Sequence, residues 1–227
     1  MFNRSWRSDT FPVVPQSGLT DVYEFGVFSG NSTAELSVLC DEYSIPCERV
    51  IGFDSFDGLP KETAEPCYNN LWDPDLSHYY KAYNARVFYG VETVSEAVLK
   101  VDEFVRPHIS SNRDLFLVPG FYDNSLTDNL PSSLGLNKAI IVDIDVDIYS
   151  SAKKVLHWLF RNKLVDVGTY VFYDDWGGTP GYKEFLDGES RAHKEISEEF
   201  NVTWELVGSN TDHVVDSQTV WQIRSIG

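Results

Sequence analysis

Two apolar runs in this chain end abruptly in carboxylates. Residues 140–147 read IIVDIDVD, and residues 170–175 read YVFYDD. A continuous apolar run is the pattern of a parallel strand buried on both faces, and ligands of open α/β sheets bind just beyond the carboxyl ends of such strands. Neighbouring strands that both end in Asp gather several anionic oxygens in one crevice. Carboxylates that close repel one another unless a cation or shared protons neutralise them, so the two runs predict a divalent-cation site on the functional edge of a sheet. The period-two spacing of Asp143, Asp145 and Asp147 puts all three on one side of an extended strand. Each is a candidate to accept a proton from a reacting group. The structural alternative, for Asp147 above all, is capping of a helix that starts near Ser150 and solvation of a strand end.

A second constellation lies nearer the beginning of the chain. The stretch VYEFGVFSGNS places Glu24, Gly26 and Gly30 where an apolar run turns towards a helix. The glycines allow a tight turn and a close ligand approach. The full dinucleotide fingerprint is absent, as is the GK[ST] of a P-loop, so neither a pyrophosphate nor a triphosphate is expected here. Glu24 is poorly placed for a phosphate and well suited to an ammonium group. Asp54 ends the next apolar run, VIGFD, where an acid can accept hydrogen bonds from two ribose hydroxyls. Together these residues predict a nucleoside that bears a cationic amino acid rather than a phosphate, and S-adenosylmethionine is that molecule.

These residues need a scaffold, and the pattern supplies one. Strands are expected over 22–27, 50–54, 115–118, 139–144, 169–173, 202–207 and 219–223. Helices are expected from 31 to about 43, with Asn31 or Ser32 as N-cap, and over 94–105 and 150–165. A last helix is expected from 181 to about 200, interrupted by Gly188. The alternation predicts an α/β fold, a doubly wound and mostly parallel sheet with helices on both faces. The two late strands, joined by a loop, predict one antiparallel strand at the end of the series. Residues 1–20 read as an arm in which Pro12 and Pro15 exclude regular structure. Residues from about 60 to 92 are aromatic, polar and too long for an ordinary loop, so they read as an acceptor-binding or lid region. GFYDNSLTDNLP, from Gly120, reads as a loop. No linker or repeat divides the 227 residues, and a single domain over 1–227 is expected.

The formal charge of -17 opposes binding to nucleic acid or anionic membranes, and no apolar stretch is long enough to span a bilayer. The opening MFNRSWRSDTF lacks the apolar core of a signal peptide, and Cys40, Cys47 and Cys67 have no metal spacing. A cytoplasmic protein with free thiols is expected.

The ordered motifs VYEFGVFSGNS, GFDSFDGLP, VPGFYDNSL, VDIDVDIYSS and FYDDWGG resemble those of the TylF/MycF-type (macrocin-type) O-methyltransferases, from about Val22 to Phe185. The resemblance implies a class I methyltransferase fold, a seven-stranded sheet with an antiparallel last strand. It implies S-adenosylmethionine with Mg²⁺ or another divalent cation, and methylation of a sugar hydroxyl on a natural product or glycan, a deoxysugar or rhamnosyl type of acceptor. It places Glu24, Gly26 and Gly30, with Ser32, along the methionine part of the cofactor. It places Asp54 at the ribose, Ser55 and Phe56 near the adenosine, and Gly120 and Phe121 beside the adenine. Asp143 joins the cofactor-contacting set. Asp145, Asp174 and Asp175 are implied metal ligands, and Asp145 and Asp147 the catalytic carboxylates. A homodimer is the family-level expectation. Val146 replaces the usual small residue between the two acids, and Trp176 stands where the family often has Tyr.

Two other readings stay open at this point: a methyltransferase of catechol-like phenolic diols, and a non-catalytic nucleoside- or cation-binding domain. An intact cluster of acids speaks against the last. His78, in the aromatic stretch, is a further candidate for acting on the acceptor. His157 reads as structural and His193 as exposed. Trp72, Tyr79, Tyr80 and Trp176 are candidates for stacking on a sugar face or for packing.

Overall fold

The apolar runs are strands. The computed structural model describes residues 6–9, 11, 13–62, 83–176, 188–210 and 218–227. In chain order the elements are α1 (Trp6–Asp9), β1 (Asp21–Phe25), α2 (Asn31–Glu42), β2 (Arg49–Asp54), α3 (Ala85–Tyr89) and α4 (Val94–Val105). They continue with β3 (Asp114–Pro119), α5 (Tyr122–Ser125), α6 (Leu130–Leu134), β4 (Ala139–Ile144), α7 (Tyr149–Arg161), β5 (Tyr170–Tyr173), α8 (Gly188–Glu199), β6 (Val202–Asn210) and β7 (Gln218–Ile226). Seven strands form one sheet in the order β3-β2-β1-β4-β5-β7-β6. β1 to β5 are mutually parallel, and β7 is antiparallel to both β5 and β6. The antiparallel strand is thus the last in sequence and the second from the edge in space.

Each face of the sheet has its own core. Val22, Val50 and Phe172 pack on one side with Leu36 and Leu39 of α2 and Val101 and Val105 of α4. Tyr23, Phe25, Ile51, Phe53 and Tyr173 pack on the other with Val155 and Leu159 of α7 and Ile196 of α8. Successive residues along β1 and β2 serve opposite faces, so both faces must be apolar, which is why these strands read as unbroken apolar runs.

Helix boundaries differ from expectation where local chemistry intervenes. α2 is preceded not by an Asn or Ser cap but by Gly30, left-handed at φ 85° with no side-chain cap. A Cβ at Gly30 would lie 2.6 Å from Val105 Cγ2, so close packing against α4 selects glycine. α7 stops at Arg161, four residues early, because Lys163 takes the left-handed conformation at φ 56°. The stretch read as a loop after β3 contains α5 and α6. The stretch read as irregular before residue 92 contains α3, capped by Asn84, whose side chain accepts from the Val87 N–H at 3.2 Å. α4 carries a reciprocal Thr93–Glu96 capping box. Most of the expected acceptor-binding region, residues 63–82, lies outside the described residues, as does 181–187 of the expected last helix. Among the described residues no helix is long and apolar enough to cross a membrane.

Candidate active site

The strand order reverses between β1 and β4, and an open α/β sheet forms its ligand crevice at that switch point. Here the chain leaves β1 at Gly26 and leaves β4 at Asp145. The Asp145 N–H donates to the Phe25 carbonyl at 2.9 Å, and the Gly26 N–H donates to the Phe53 carbonyl at 3.0 Å. Gly26 has φ 95°, and a Cβ there would sit 1.7 Å from the Asp145 carbonyl oxygen. Only glycine lets the two loops touch. Gly26, Asp54 and Asp145 each line two adjoining cavities, one of ≈ 450 Å³ and one of ≈ 110 Å³. The larger also reaches Ser32 and Asp147, and the smaller reaches Ser55, Gly120 and Phe121.

Asp54 anchors the wall on the β2 side. Its Oδ2 accepts from the Phe28 N–H at 2.8 Å, and its Oδ1 accepts from the Phe56 N–H at 2.6 Å. Phe28 and Phe56 are both left-handed, at φ 47° and 54°, a conformation bulky residues rarely adopt. The carboxylate therefore stabilises two strained turns, and its remaining lone pairs stay available to hydroxyl donors. The Phe56 ring is fully buried in the core and the residue lines neither cavity; its link to the site is the backbone N–H on Asp54. Burial pushes the Asp54 carboxyl up, against the pull of these N–H donors.

The opposite wall is acidic. Asp143 is fully buried, whereas Asp145, Asp147, Asp174 and Asp175 are half-buried. Burial first, then the neighbouring acids, raises the carboxyls of Asp145 and Asp175 well above the usual range. Glu24, beside Asp143 in the β1–β4 pairing, is pushed up to about 8 by burial and by Asp143, and it accepts from the Thr33 hydroxyl. The expected period-two alignment ends at Asp145, because Asp147 is left-handed at φ 63°.

A cation from the N-terminal arm meets these acids. The Arg7 Nε donates to Asp143 Oδ2 at 2.9 Å and its Nη2 to Asp145 Oδ2 at 3.3 Å, while Nη1 lies 3.7 Å from Asp174 Oδ1. The Trp6 indole N–H donates to the same Asp174 oxygen. Burial disfavours a charged guanidinium, yet Asp143, Asp174, Asp145 and Glu24 outweigh it and hold Arg7 ionised. The same ion pairs oppose the burial that lifts Asp143 to about 6.

Glu189, fully buried in the first turn of α8, joins the two acidic loops. Its Oε1 accepts from the Val146 N–H at 3.2 Å and its Oε2 from the Asp175 N–H at 3.0 Å. Glu189 thus sets the spacing between the loop after β4 and the loop after β5. Asp145, Asp174 and Asp175 each offer a carboxylate oxygen, all within 4.8 Å of one another. Hard oxygen donors at that spacing suit Mg²⁺ or a similar divalent cation, so these residues fit the group the sequence suggested.

Sequence reasoning missed Arg7, Trp6 and Glu189. The signal for Arg7 was indirect: a cluster of buried acids requires a counter-cation. For Glu189 it was an acid on the buried face formed with Ala192, His193 and Ile196. His193, expected at the surface, is buried. Its Nδ1 is 3.0 Å from the Tyr173 hydroxyl, and its ring packs against Trp176, Trp204 and Trp221. Trp176 is accordingly a packing residue of this group. His157 faces Glu199 at 3.3 Å, away from the crevice. Cys40 and Cys47 are free and buried. His78, Trp72, Tyr79, Tyr80 and Cys67 lie outside the described residues.

The family model described as macrocin O-methyltransferase (TylF) matches residues 7–207. No curated protein matches the chain. Among solved structures, the O-methyltransferase NovP superposes with a TM-score of 0.62 at 20% identity, covering 91% of this chain and 72% of NovP. CalS11, a calicheamicin methyltransferase, superposes with a TM-score of 0.59 at 17% identity, covering 88% of this chain and 71% of CalS11. At these identities the two structures speak for the fold.

Proposed function

Since this chain belongs to the macrocin O-methyltransferase (TylF) family of O-methyltransferases, we propose that it moves the methyl group of S-adenosylmethionine to a sugar hydroxyl of a small-molecule or glycan acceptor, with a divalent cation held by Asp145, Asp174 and Asp175. The observation that carries the reading is the shared wall: Gly26, Asp54 and Asp145 line both cavities, so a nucleoside site and an acidic site meet at one point. Asp54 accepts the ribose hydroxyls, and Ser55, Gly120 and Phe121 flank the base.

A hydroxyl oxygen is a weak nucleophile at neutral pH, and a carboxylate that accepts its proton makes the attack feasible. The oxygen bonds to the methyl carbon, the carbon–sulfur bond breaks, and its electron pair returns to sulfur. The product nucleoside is neutral at sulfur, and no covalent enzyme intermediate is needed. Asp145 and Asp147 both line the larger cavity, and Asp147 lies outside the set of three clustered carboxylates. Asp147 therefore takes the proton, and Asp145 orients the acceptor oxygen. The bound cation would lower the pKa of the acceptor hydroxyl. Alignment of oxygen, methyl and sulfur contributes much of the acceleration.

The test is calorimetric titration of S-adenosylhomocysteine with Mg²⁺ and with EDTA, followed by mass spectrometry of deoxysugar and rhamnosyl acceptors incubated with S-adenosylmethionine. Micromolar binding and a methylated product are expected. A protein that binds no S-adenosylhomocysteine under either condition refutes the reading.

A further inference from the structure

The cavity that reaches Ser32 and Asp147 is lined by four acids, Glu35, Asp54, Asp145 and Asp147. Among the described residues lining it, Arg7 is the only basic side chain. S-adenosylmethionine presents this wall with mixed chemistry, an ammonium and a sulfonium that acids attract and a carboxylate that they repel. With the ribose at Asp54 and the base in the smaller cavity beside Gly120 and Phe121, the amino-acid group extends past Gly26 towards the residues that open α2 and towards Arg7. The first turn of α2 adds backbone N–H groups without a side-chain cap. That corner holds the one cation among the described residues that line the cavity.

We propose that Arg7 binds the α-carboxylate of the cofactor's methionyl group, which makes the N-terminal arm a part of the cofactor site. The inference rests on the methyltransferase reading above. The Arg7 side chain is preorganised to receive an anion, since its contacts with Asp143, Asp145 and Asp174 come from two strands and fix the guanidinium in the floor of the cavity. A planar guanidinium carries five N–H donors in a fixed fork and serves several anions at once, which an ammonium does not do with the same geometry.

The experiment compares two nucleosides on three proteins, in EDTA so that cations do not enter. S-adenosylhomocysteine carries the amino-acid group, and 5′-methylthioadenosine shares its nucleoside and thioether but lacks that group. Arg7→Ala is expected to weaken S-adenosylhomocysteine about tenfold to a hundredfold while 5′-methylthioadenosine stays within about twofold, the signature of one lost charge-assisted contact. Arg7→Lys keeps the charge among the acids and is expected to show the same selectivity change in smaller measure. It remains readable if Arg7→Ala does not fold, which thermal unfolding reports. Equal losses for both nucleosides, or no loss for either, overturn the proposal and leave the cofactor reading standing. A wild-type protein that binds neither nucleoside overturns the cofactor reading itself, and the proposal with it.

Discussion

Replacing Gly26 by Ala tests the contact on which the whole crevice depends. At φ 95° any L side chain is strained, at about 1 kcal/mol. The new Cβ would lie 1.7 Å from the Asp145 carbonyl oxygen and 2.7 Å from its carbon, both backbone atoms that no rotamer change can move. The two loops must separate by more than an ångström. That lengthens the 2.9 Å hydrogen bond from Asp145 N–H to the Phe25 carbonyl, a loss of about 1 kcal/mol. Forced separation of packed groups adds about 1–3 kcal/mol. The sum is about 3–5 kcal/mol, or about 6–20 °C in Tm for a domain of this length. Displacing Asp145 on this scale also costs about a hundredfold in turnover, since misplacement by an ångström forfeits alignment. Gly90→Ala is the matched control: φ is +66° and nothing lies within 4 Å of the added Cβ, so strain alone applies, about 1 kcal/mol. Thermal unfolding of both variants and S-adenosylhomocysteine titration of Gly26→Ala are the assays. A Gly26→Ala protein as stable as Gly90→Ala, with wild-type cofactor affinity, refutes the close-approach argument.

Three further outcomes are expected. Glu189→Gln leaves one of the Val146 and Asp175 N–H groups facing an amide NH₂, at about 1–3 kcal/mol in urea unfolding, and it lowers turnover more than cofactor affinity; wild-type values for both would remove its bridging role. His193 is held neutral by burial, its pKa lowered from 6.5 to about 3. Below pH 6.5 the unfolded chain takes a proton that the folded protein refuses, so stability falls by up to about 1.4 kcal/mol per pH unit towards pH 3. His193→Gln should flatten that part of the urea profile, and an unchanged acid slope would place the sensitivity elsewhere. Asp175→Ala removes one of three clustered oxygens and should weaken Mg²⁺ binding at least about tenfold by calorimetry; an unaltered affinity would sink the metal assignment.

The sheet was legible because burial on both faces leaves a one-dimensional trace. VIGFD is apolar up to Asp54 and YVFYDD up to Asp174, while IIVDI is interrupted within the strand by the fully buried Asp143 before the crevice begins at Asp145. Asp54, Asp145, Asp174 and Asp175 were singled out as candidates by that pattern. Arg7 was not, because its meaning depends on partners up to 167 residues away, at Asp174. A charged residue in an arm with no periodicity carries no mark of being buried. His193 was misread for the converse reason: Lys194 and Glu195 beside it suggest a solvated helix, while the face repeating at 189, 192, 193 and 196 turns inward. Gly30 and Lys163 moved helix boundaries through left-handed backbone conformations set by packing and by chain direction, which composition does not encode.

The position of β7 has a consequence for how the molecule is made. β7 pairs with β5 on one side and β6 on the other, although it follows both in the chain. On the ribosome, β6 emerges with no sheet to join, and β5 remains an open edge until residues 218–226 arrive. Asp174 and Asp175 directly follow β5, so the loop that carries them leaves the strand whose second pairing partner is the last to be made.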